Sequence, residues 1–355
     1  MILEDLSNEI GVSGDEGLIR KIIIPALKTY VDEITVDTMG NVFAYKAGQT
    51  QEEGFVPTVM VTAHMDEVGF MITNITRDGL LRFTTVGGFD PRIIPGKRVI
   101  VGRNKIPGVI GSEAVHNIPR SQRGQAPSLK SLAIDIGASK KEDAQSKVTL
   151  GDYVTFATTF NFLNQASDNG HNNSGIVKGK ALDNRAGCAM LIEILKETHP
   201  VNIVGVFTVQ EEIGTRGATV AAHRSNPDLA IVLECTTADD LPIEGQEIGH
   251  PRLGDGPCVT IMDRSFIAPP WLLQHLEQTA TTQNIPYQYK HPGMGGTDAA
   301  AIHKSRTGVP TAVIAAPSRY IHSPAALMDM SDFWHCITLV NQSLKTLPTE
   351  KELFA

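Results

Sequence analysis

Apolar positions follow two different textures along this chain. Across residues 15–31 (DEGLIRKIIIPALKTYV) they recur at helical spacing, with acidic residues in the first turn, which predicts an amphipathic helix. A hairpin pattern follows: Ile34-Thr35-Val36, a turn at Met39-Gly40-Asn41, then Val42-Phe43-Ala44-Tyr45. Residues 58–63 (TVMVTA) form a short unbroken apolar run that ends at His64, the pattern of a buried strand with polar cargo at its C-terminal end. Between residues 70 and 160 the texture changes to short β-like runs broken by Gly and Pro, at 81–86, 97–101, 108–111 and 153–156. After about residue 175 the first texture resumes. Ala186, Met190, Leu191, Ile194 and Leu195 share one helical face, strand-like runs recur at 203–209, 229–233, 257–262 and 311–315, and a last helix is expected over 331–346.

Strands alternating with helices predict an α/β fold with a mixed, largely parallel sheet sandwiched by helices. The β-rich block at 69–164 is then a small β-barrel domain inserted into a discontinuous domain formed by residues 1–68 and 165–355. Within the insertion, residues 117–131 (NIPRSQRGQAPSLKS) read as a long polar loop.

Composition narrows the partners. With 355 residues and a net charge of −8, the chain lacks the basic excess that a nucleic acid or an anionic membrane requires. Cys188, Cys235, Cys258 and Cys336 are scattered, without CxxC spacing, which fits buried thiols in a reducing compartment. No basic-then-apolar leader is visible at Met1-Ile2-Leu3-Glu4-Asp5 and no apolar stretch reaches membrane-spanning length, so a soluble cytoplasmic protein is expected.

The chemistry gathers where apolar runs end. Glu211 and Glu212 are adjacent carboxylates at the end of Ile203–Val209, where mutual repulsion and lost hydration call for a cation. His64-Met65-Asp66 ends the first core strand; the imidazole is a candidate metal ligand and the aspartate can fix its tautomer. Asp183 stands at the start of a helix, where it is either an N-cap or a carboxylate shared by two cations. Glu234 ends Ile231-Val232-Leu233, with Cys235 expected to turn into the core, and His322 follows the run at 311–315. His116 and His303 read as structural. Two imidazoles and four carboxylates, with no thiolate, suit zinc, cobalt or manganese. Five ligands exceed what one catalytic zinc takes, so two ions sharing a carboxylate fit better.

The stretches AHMDEVGFM, GKALDNRAG, FTVQEEIGTRGA, LECTTADD, GMGGTDAAAI and RYIHSP, with GVSGDEG near the N-terminus and LAIDIGASKKEDA and LGDYVTF in the insertion, resemble the glutamyl/deblocking aminopeptidases. These are di-zinc exopeptidases that assemble as tetrahedral particles. The resemblance runs nearly end to end. It implies a zinc-exopeptidase-like fold and two divalent ions per subunit, zinc first and cobalt or manganese as alternatives. His64 and Glu234 would hold the first ion, Glu212 and His322 the second, and Asp183 would bridge them. Glu211 would be the general base, Asp66 the partner of His64, and Gly295, Gly296, Thr297 and Asp298 a substrate-side loop.

Relatives commonly carry Asp where Glu234 stands, and an acid near the positions of Ala325 and Ala326. The implied activity is hydrolysis of N-terminal residues from peptides with free N-termini. The implied assembly is dimers, formed through the inserted domain, building a dodecamer. A deacylase or carboxypeptidase of the same clan shares the ligand set, and an inactive scaffold homologue is the rival from a different class. The scaffold reading is disfavoured because every ligand and the base are present. An acid-selective pocket would need a buried cation; Arg216 and Arg319 lie near the motifs, and their direction is not readable from sequence.

Overall fold

The computed structural model describes residues 1–49, 54–114, 116–164, 175–242, 251–290, 292–293 and 295–348. The expected domain boundary at residue 165 falls outside them.

The chain opens with helices α1 (Ile2–Asn8) and α2 (Gly17–Leu27), then the hairpin β1 (Glu33–Val36) and β2 (Val42–Lys46) and the core strand β3 (Thr58–His64). Six strands follow: β4 (Gly69–Ile75), β5 (Leu81–Val86), β6 (Arg98–Val101), β7 (Ile106–Gly111), β8 (Ala133–Asp135) and β9 (Tyr153–Phe156), with a short α3 (Lys141–Gln145) before the last. They close into a barrel in the order β4-β5-β8-β7-β6-β9, filled by Phe70, Phe83, Val99, Ile110, Ile134, Val154 and Phe156. Closure removes the exposed edges that short antiparallel strands would otherwise carry. The polar segment 117–131 joins β7 to β8 and is mostly exposed.

The chain then returns to the large sheet through β10 (Asn161–Phe162), β11 (Ile176–Gly179), α4 (Leu182–Lys196), β12 (Asn202–Thr208), α5 (Arg216–Ser225) and β13 (Leu229–Thr237). It finishes with β14 (Cys258–Val259), α6 (Pro270–Thr282), β15 (Gln288–Tyr289), α7 (Ala299–Ile302), β16 (Thr311–Arg319), β17 (Ala326–Asp329) and α8 (Met330–Lys345). The eleven-stranded sheet has the path β1-β2-β12-β3-β13-β16-β17-β11-β10, with β14 and β15 branching from β16. Its centre, β12-β3-β13-β16, is parallel, and its flanks are antiparallel.

Successive side chains of these strands feed two cores. Val59, Val61, Ile203 and Phe207 face α1, α2, α4, α6 and α8, whereas Met60, Val204 and Val206 face α5 and α7. Both faces are therefore buried, which explains the unbroken apolar runs. The run at 257–262 forms only the short β14, because the chain turns away after Val259 into a bridge between Met262 and Ile267. Strands β13 and β16 extend well past their apolar runs, pairing residue by residue through Thr237 and Ser318, and this carries their polar ends to the rim. No helix among the described residues is long and apolar enough to cross a membrane.

Candidate active site and metal centre

The parallel strands end together on one edge of the sheet, where ligands collect in such folds. In register, His64 at the end of β3 lies beside Thr208 at the end of β12, so the loop carrying Glu211 and Glu212 starts next to the imidazole. Glu234 sits in β13, one strand further, and His322 lies in the turn between β16 and β17. Asp183 enters from the start of α4. Its backbone is non-helical, and its carboxylate does not cap the helix. Asn184 has non-helical backbone too, and it caps the regular part of α4 beyond this kink: its side-chain oxygen accepts the backbone N–H of Gly187 at 3.0 Å. The sequence alternatives for Asp183 therefore separate: the capping role passes to its neighbour, and the Asp183 carboxylate faces the cleft.

That carboxylate splits between the two imidazoles. Asp183 Oδ1 is 3.4 Å from His64 Nε2, and Oδ2 is 3.4 Å from His322 Nε2. Glu234 Oε2 lies 3.6 Å from His64 Nε2, and Glu212 Oε2 lies 3.4 Å from His322 Nε2. Glu211 Oε2 is more distant, 3.9 Å from His64 Nε2. The ligand-type atoms of His64-Asp183-Glu234, of Asp183-Glu212-His322 and of His64-Glu211-Glu212 each lie within 4.8 Å of one another. Atoms bound at about 2.0–2.1 Å to one tetrahedral ion stand roughly 3.3–3.4 Å apart, so the first two groups have the spacing of ligands around a common centre. Glu212 Oε1 is buried without a hydrogen-bond partner among the described residues, which also leaves it available to a cation.

Electrostatics points the same way. Burial pushes the carboxyl of Glu212 up to about 8, and the neighbouring Asp183 adds to it. Burial likewise raises Glu234, against the pull of His64, and raises Glu211 well above the usual carboxylate range, with Asp298, Glu234 and Glu212 contributing. Asp183 also pays for burial, yet His322 and His64 hold it well below that range. Burial acts against protonation of His322, but Asp183 and Glu212 outweigh it and raise the imidazole to about 9. So many acids in one volume cannot all ionise without added positive charge.

The imidazoles are held from behind. His64 Nδ1 lies 3.2 Å from the Asp66 carbonyl and 3.4 Å from the Asp66 carboxylate, and His322 Nδ1 lies 3.1 Å from the Gly88 carbonyl. Gly88 belongs to the barrel side, so the β-rich block touches the site directly. Cys235 is buried, its thiol donating to the Leu182 carbonyl at 3.1 Å.

The cleft in front of these groups encloses about 860 Å³. Gly295, Gly296 and Thr297 line it. Asp298 lies behind that wall, fully buried, accepting from the Thr208 hydroxyl at 2.5 Å, and burial pushes its carboxyl up to about 7.

Sequence reasoning missed three buried charged residues next to the centre. Glu67 follows Asp66, and its carboxylate takes Lys180 Nζ at 2.7 and 2.9 Å, Arg185 at 3.3 Å, the Gly11 N–H at 3.1 Å and the Thr155 hydroxyl of β9 at 2.8 Å. One carboxylate thus ties the N-terminal segment, β3, the barrel and α4 together behind the site. A charge inside the otherwise apolar stretches around 67 and 180–191 was the available signal. Lys290, at the end of β15, also lines the cleft and had no motif to mark it.

The chain also matches known proteins in sequence and in fold. Residues 40–339 match the M42 glutamyl aminopeptidase family. The glutamyl aminopeptidase of Lactococcus lactis is 33% identical over 353 residues, spanning 96% of this chain and 94% of its own. A TET aminopeptidase from a marine sediment archaeon, Thaumarchaeota archaeon SCGC AB-539-E09, superposes with a TM-score of 0.90 at 33% identity, covering 100% of this chain and 99% of its own. The TET1 peptidase of Pyrococcus horikoshii, which can assemble into a tetrahedron or a large octahedral shell, superposes with a TM-score of 0.82 at 31% identity, over 98% of this chain and 99% of its own. The chain belongs to the M42 glutamyl aminopeptidase family and is a peptidase, a hydrolase of peptide bonds.

Proposed function

We propose that this protein is a two-metal aminopeptidase that removes N-terminal residues from peptides, with Glu211 as general base. The observation that carries the reading is the Asp183 carboxylate, one oxygen turned to His64 and the other to His322. In this reading His64, Asp183 and Glu234 hold one divalent ion, and Asp183, Glu212 and His322 hold the other; nitrogen and oxygen donors without thiolate favour zinc, and also accept cobalt or manganese. Bound there, such ions supply acidification of water and polarisation of a carbonyl oxygen.

The side chains do the rest. Glu211 stands farther from His64 than Asp183 or Glu234 does, so it is the carboxylate left free to take the proton of the attacking water. Its raised affinity for a proton suits it to return that proton to the leaving amine. A carboxylate at this end of the cleft can accept a hydrogen bond from a free α-ammonium, which sets the first peptide bond beside Glu211. Asp66 orients His64 and the glutamate doublet. Gly295, Gly296 and Thr297 form the wall along which the substrate lies, and Asp298 supports that wall from behind.

The barrel serves as the dimerisation domain of a homo-oligomer, with dimers building a dodecamer; support comes from the assembly of the Pyrococcus horikoshii relative. Its loop 117–131 then extends toward a neighbouring subunit.

The test is Glu211→Gln on metal-loaded protein. Turnover of aminoacyl substrates should fall by roughly 100- to 10,000-fold, the range of general acid–base contributions, while bound metal is retained. Full activity in that variant rejects Glu211 as the base. Sedimentation or light scattering reads the assembly, and a monomer at micromolar concentration rejects it.

A further inference from the structure

We propose that Glu16 is a positioning residue for the reaction: its carboxylate fixes the backbone at Gln210 and thereby aims Glu211 into the cleft. The inference rests on the reading of Glu211 as general base and extends it to the group that holds that base in place.

The loop that carries the glutamate doublet leaves β12 after Thr208 and runs to α5. Its first amides have no strand to bond, so they need other acceptors. Four in succession find one on a side chain from a distant part of the chain. The N–H of Val209 goes to Asn41 Oδ1 at 3.0 Å and that of Gln210 to Glu16 Oε1 at 3.2 Å. Those of Glu211 and Glu212 go to the two oxygens of Asp66 at 3.0 and 3.1 Å. Asp66 also faces His64, whereas Glu16 does not line the cleft and acts on it only through this loop.

Gln210 is where the hold matters most. Its φ is +57°, a left-handed conformation that costs a residue with a Cβ about 1–2 kcal/mol. The chain turns there from the strand into the doublet. Without the Glu16 acceptor, Gln210 can relax toward negative φ, and the residue re-aimed is the next one, Glu211.

Glu16 is placed for that reach. Its carbonyl accepts the N–H groups of Ile19 and Arg20 at 3.0 and 3.1 Å and so starts α2, yet its carboxylate does not cap that helix. The carboxylate turns back instead, and Oε1 takes the Gly14 N–H at 2.7 Å as well as that of Gln210. The turn before it sets this direction. The Asp15 N–H bonds to the Val12 carbonyl at 2.8 Å, Gly14 has φ +95°, and a Cβ there would stand 2.6 Å from the Tyr153 hydroxyl. Asp15 then pairs with Arg103 of the barrel at 2.5 Å.

Glu16 is 3% exposed. Burial and the charge of Asp66 act against its ionised form, and the N–H groups of Gly14 and Gln210 act for it. A second buried acid beside Asp66 is thus favoured by the amides it holds. A plain tie between α2 and the sheet is the competing role, and the test must separate the two.

The experiment compares wild type, Glu16→Ala, Glu16→Gln and Glu16→Asp, each loaded with zinc and assayed at equal bound metal on the best wild-type substrate from a panel of aminoacyl-p-nitroanilides. In Glu16→Ala, kcat should fall by about 10- to 100-fold, up to the cost of an ångström-scale misplacement, with KM within about threefold and bound zinc retained. Glu16→Gln keeps an acceptor at the same reach and should recover most of kcat. Glu16→Asp withdraws the acceptor by one methylene and should not. Hydrogen exchange read by mass spectrometry on the peptide spanning 209–215 should speed up in Glu16→Ala, independently of turnover.

A kcat in Glu16→Ala within twofold of wild type, equal losses in Glu16→Ala and Glu16→Gln, zinc loss in proportion to activity, or unchanged exchange overturns the positioning role. If Glu16→Ala does not fold, equal kcat in Glu16→Gln and Glu16→Asp overturns it. An unaffected Glu16→Ala in an enzyme that Glu211→Gln silences rejects this inference alone. Full turnover in Glu211→Gln, or none in zinc-loaded wild type, rejects the reading beneath it and this inference with it.

Discussion

The carboxylate of Asp66 accepts the backbone N–H of Glu211 at 3.0 Å. Its second oxygen takes the N–H of Glu212 at 3.1 Å and the Ser13 hydroxyl at 2.6 Å. Asp66 is therefore a clamp on the glutamate doublet as much as a partner for His64. The two glutamates are fixed through their backbone, which leaves both side chains free for the cleft.

Asp66→Asn should disturb that clamp, because an amide offers one acceptor oxygen where the carboxylate offers two. One buried N–H loses its partner, at a cost of about 1–3 kcal/mol. Denaturant unfolding should show that loss, and kcat should drop more than KM rises. Unchanged stability and kcat together would show that the clamp carries no weight.

Asp183→Ala removes the one side chain that, among the described residues, lies within 4.0 Å of both imidazoles. Atomic absorption on the purified variant should find both ions lost, whereas Glu212→Ala should lose mainly one. Stoichiometric metal in Asp183→Ala would contradict the bridging assignment.

Lys180→Met leaves the Glu67 carboxylate buried with Arg185 as its remaining cation among the described residues, beside the Gly11 N–H and the Thr155 hydroxyl. Both Lys180 and Glu67 are almost wholly inaccessible. Removing one partner of such a pair costs about 3–5 kcal/mol. Urea unfolding measures it, and a change below 1 kcal/mol, ~fivefold in the folding equilibrium, would show that Arg185 alone suffices.

The same lysine predicts a pH dependence. Burial, opposed by Glu67 and reinforced by the Arg185 charge, brings its ammonium down to about 8 from a normal 10.5. Between those two values the unfolded chain binds the proton and the folded chain does not. Stability from this group therefore rises with pH across that window, after a penalty fully present below it. Stability curves at pH 7.5 to 10 should rise less for Lys180→Met than for wild type; parallel curves would refute the assignment.

Much of this was legible in one dimension. Runs such as 58–63 and 203–209 announced buried parallel strands because both faces of the sheet are covered. The candidate ligands stood where those runs stopped. The family resemblance then supplied the roles proposed for them. The chain did not reveal that Asn184, rather than Asp183, caps α4, since both residue types cap helices and only the backbone path decides between them. Nor did it expose Glu67, hidden behind its more conspicuous neighbour Asp66.

Local pattern determined the element types, the strand ends and the chemical identity of the candidate donors, because burial on two faces and charge at a strand terminus are properties of short segments. Tertiary structure alone decided the rest. It set the two oxygens of Asp183 toward different imidazoles, joined Glu67 to Thr155 across the barrel, spent Arg319 on Asp240 and left the Lys290 ammonium facing the cleft. Those relationships join residues far apart in the chain. Their energies depend on distance and on exclusion of water, and neither is written in the order of residues.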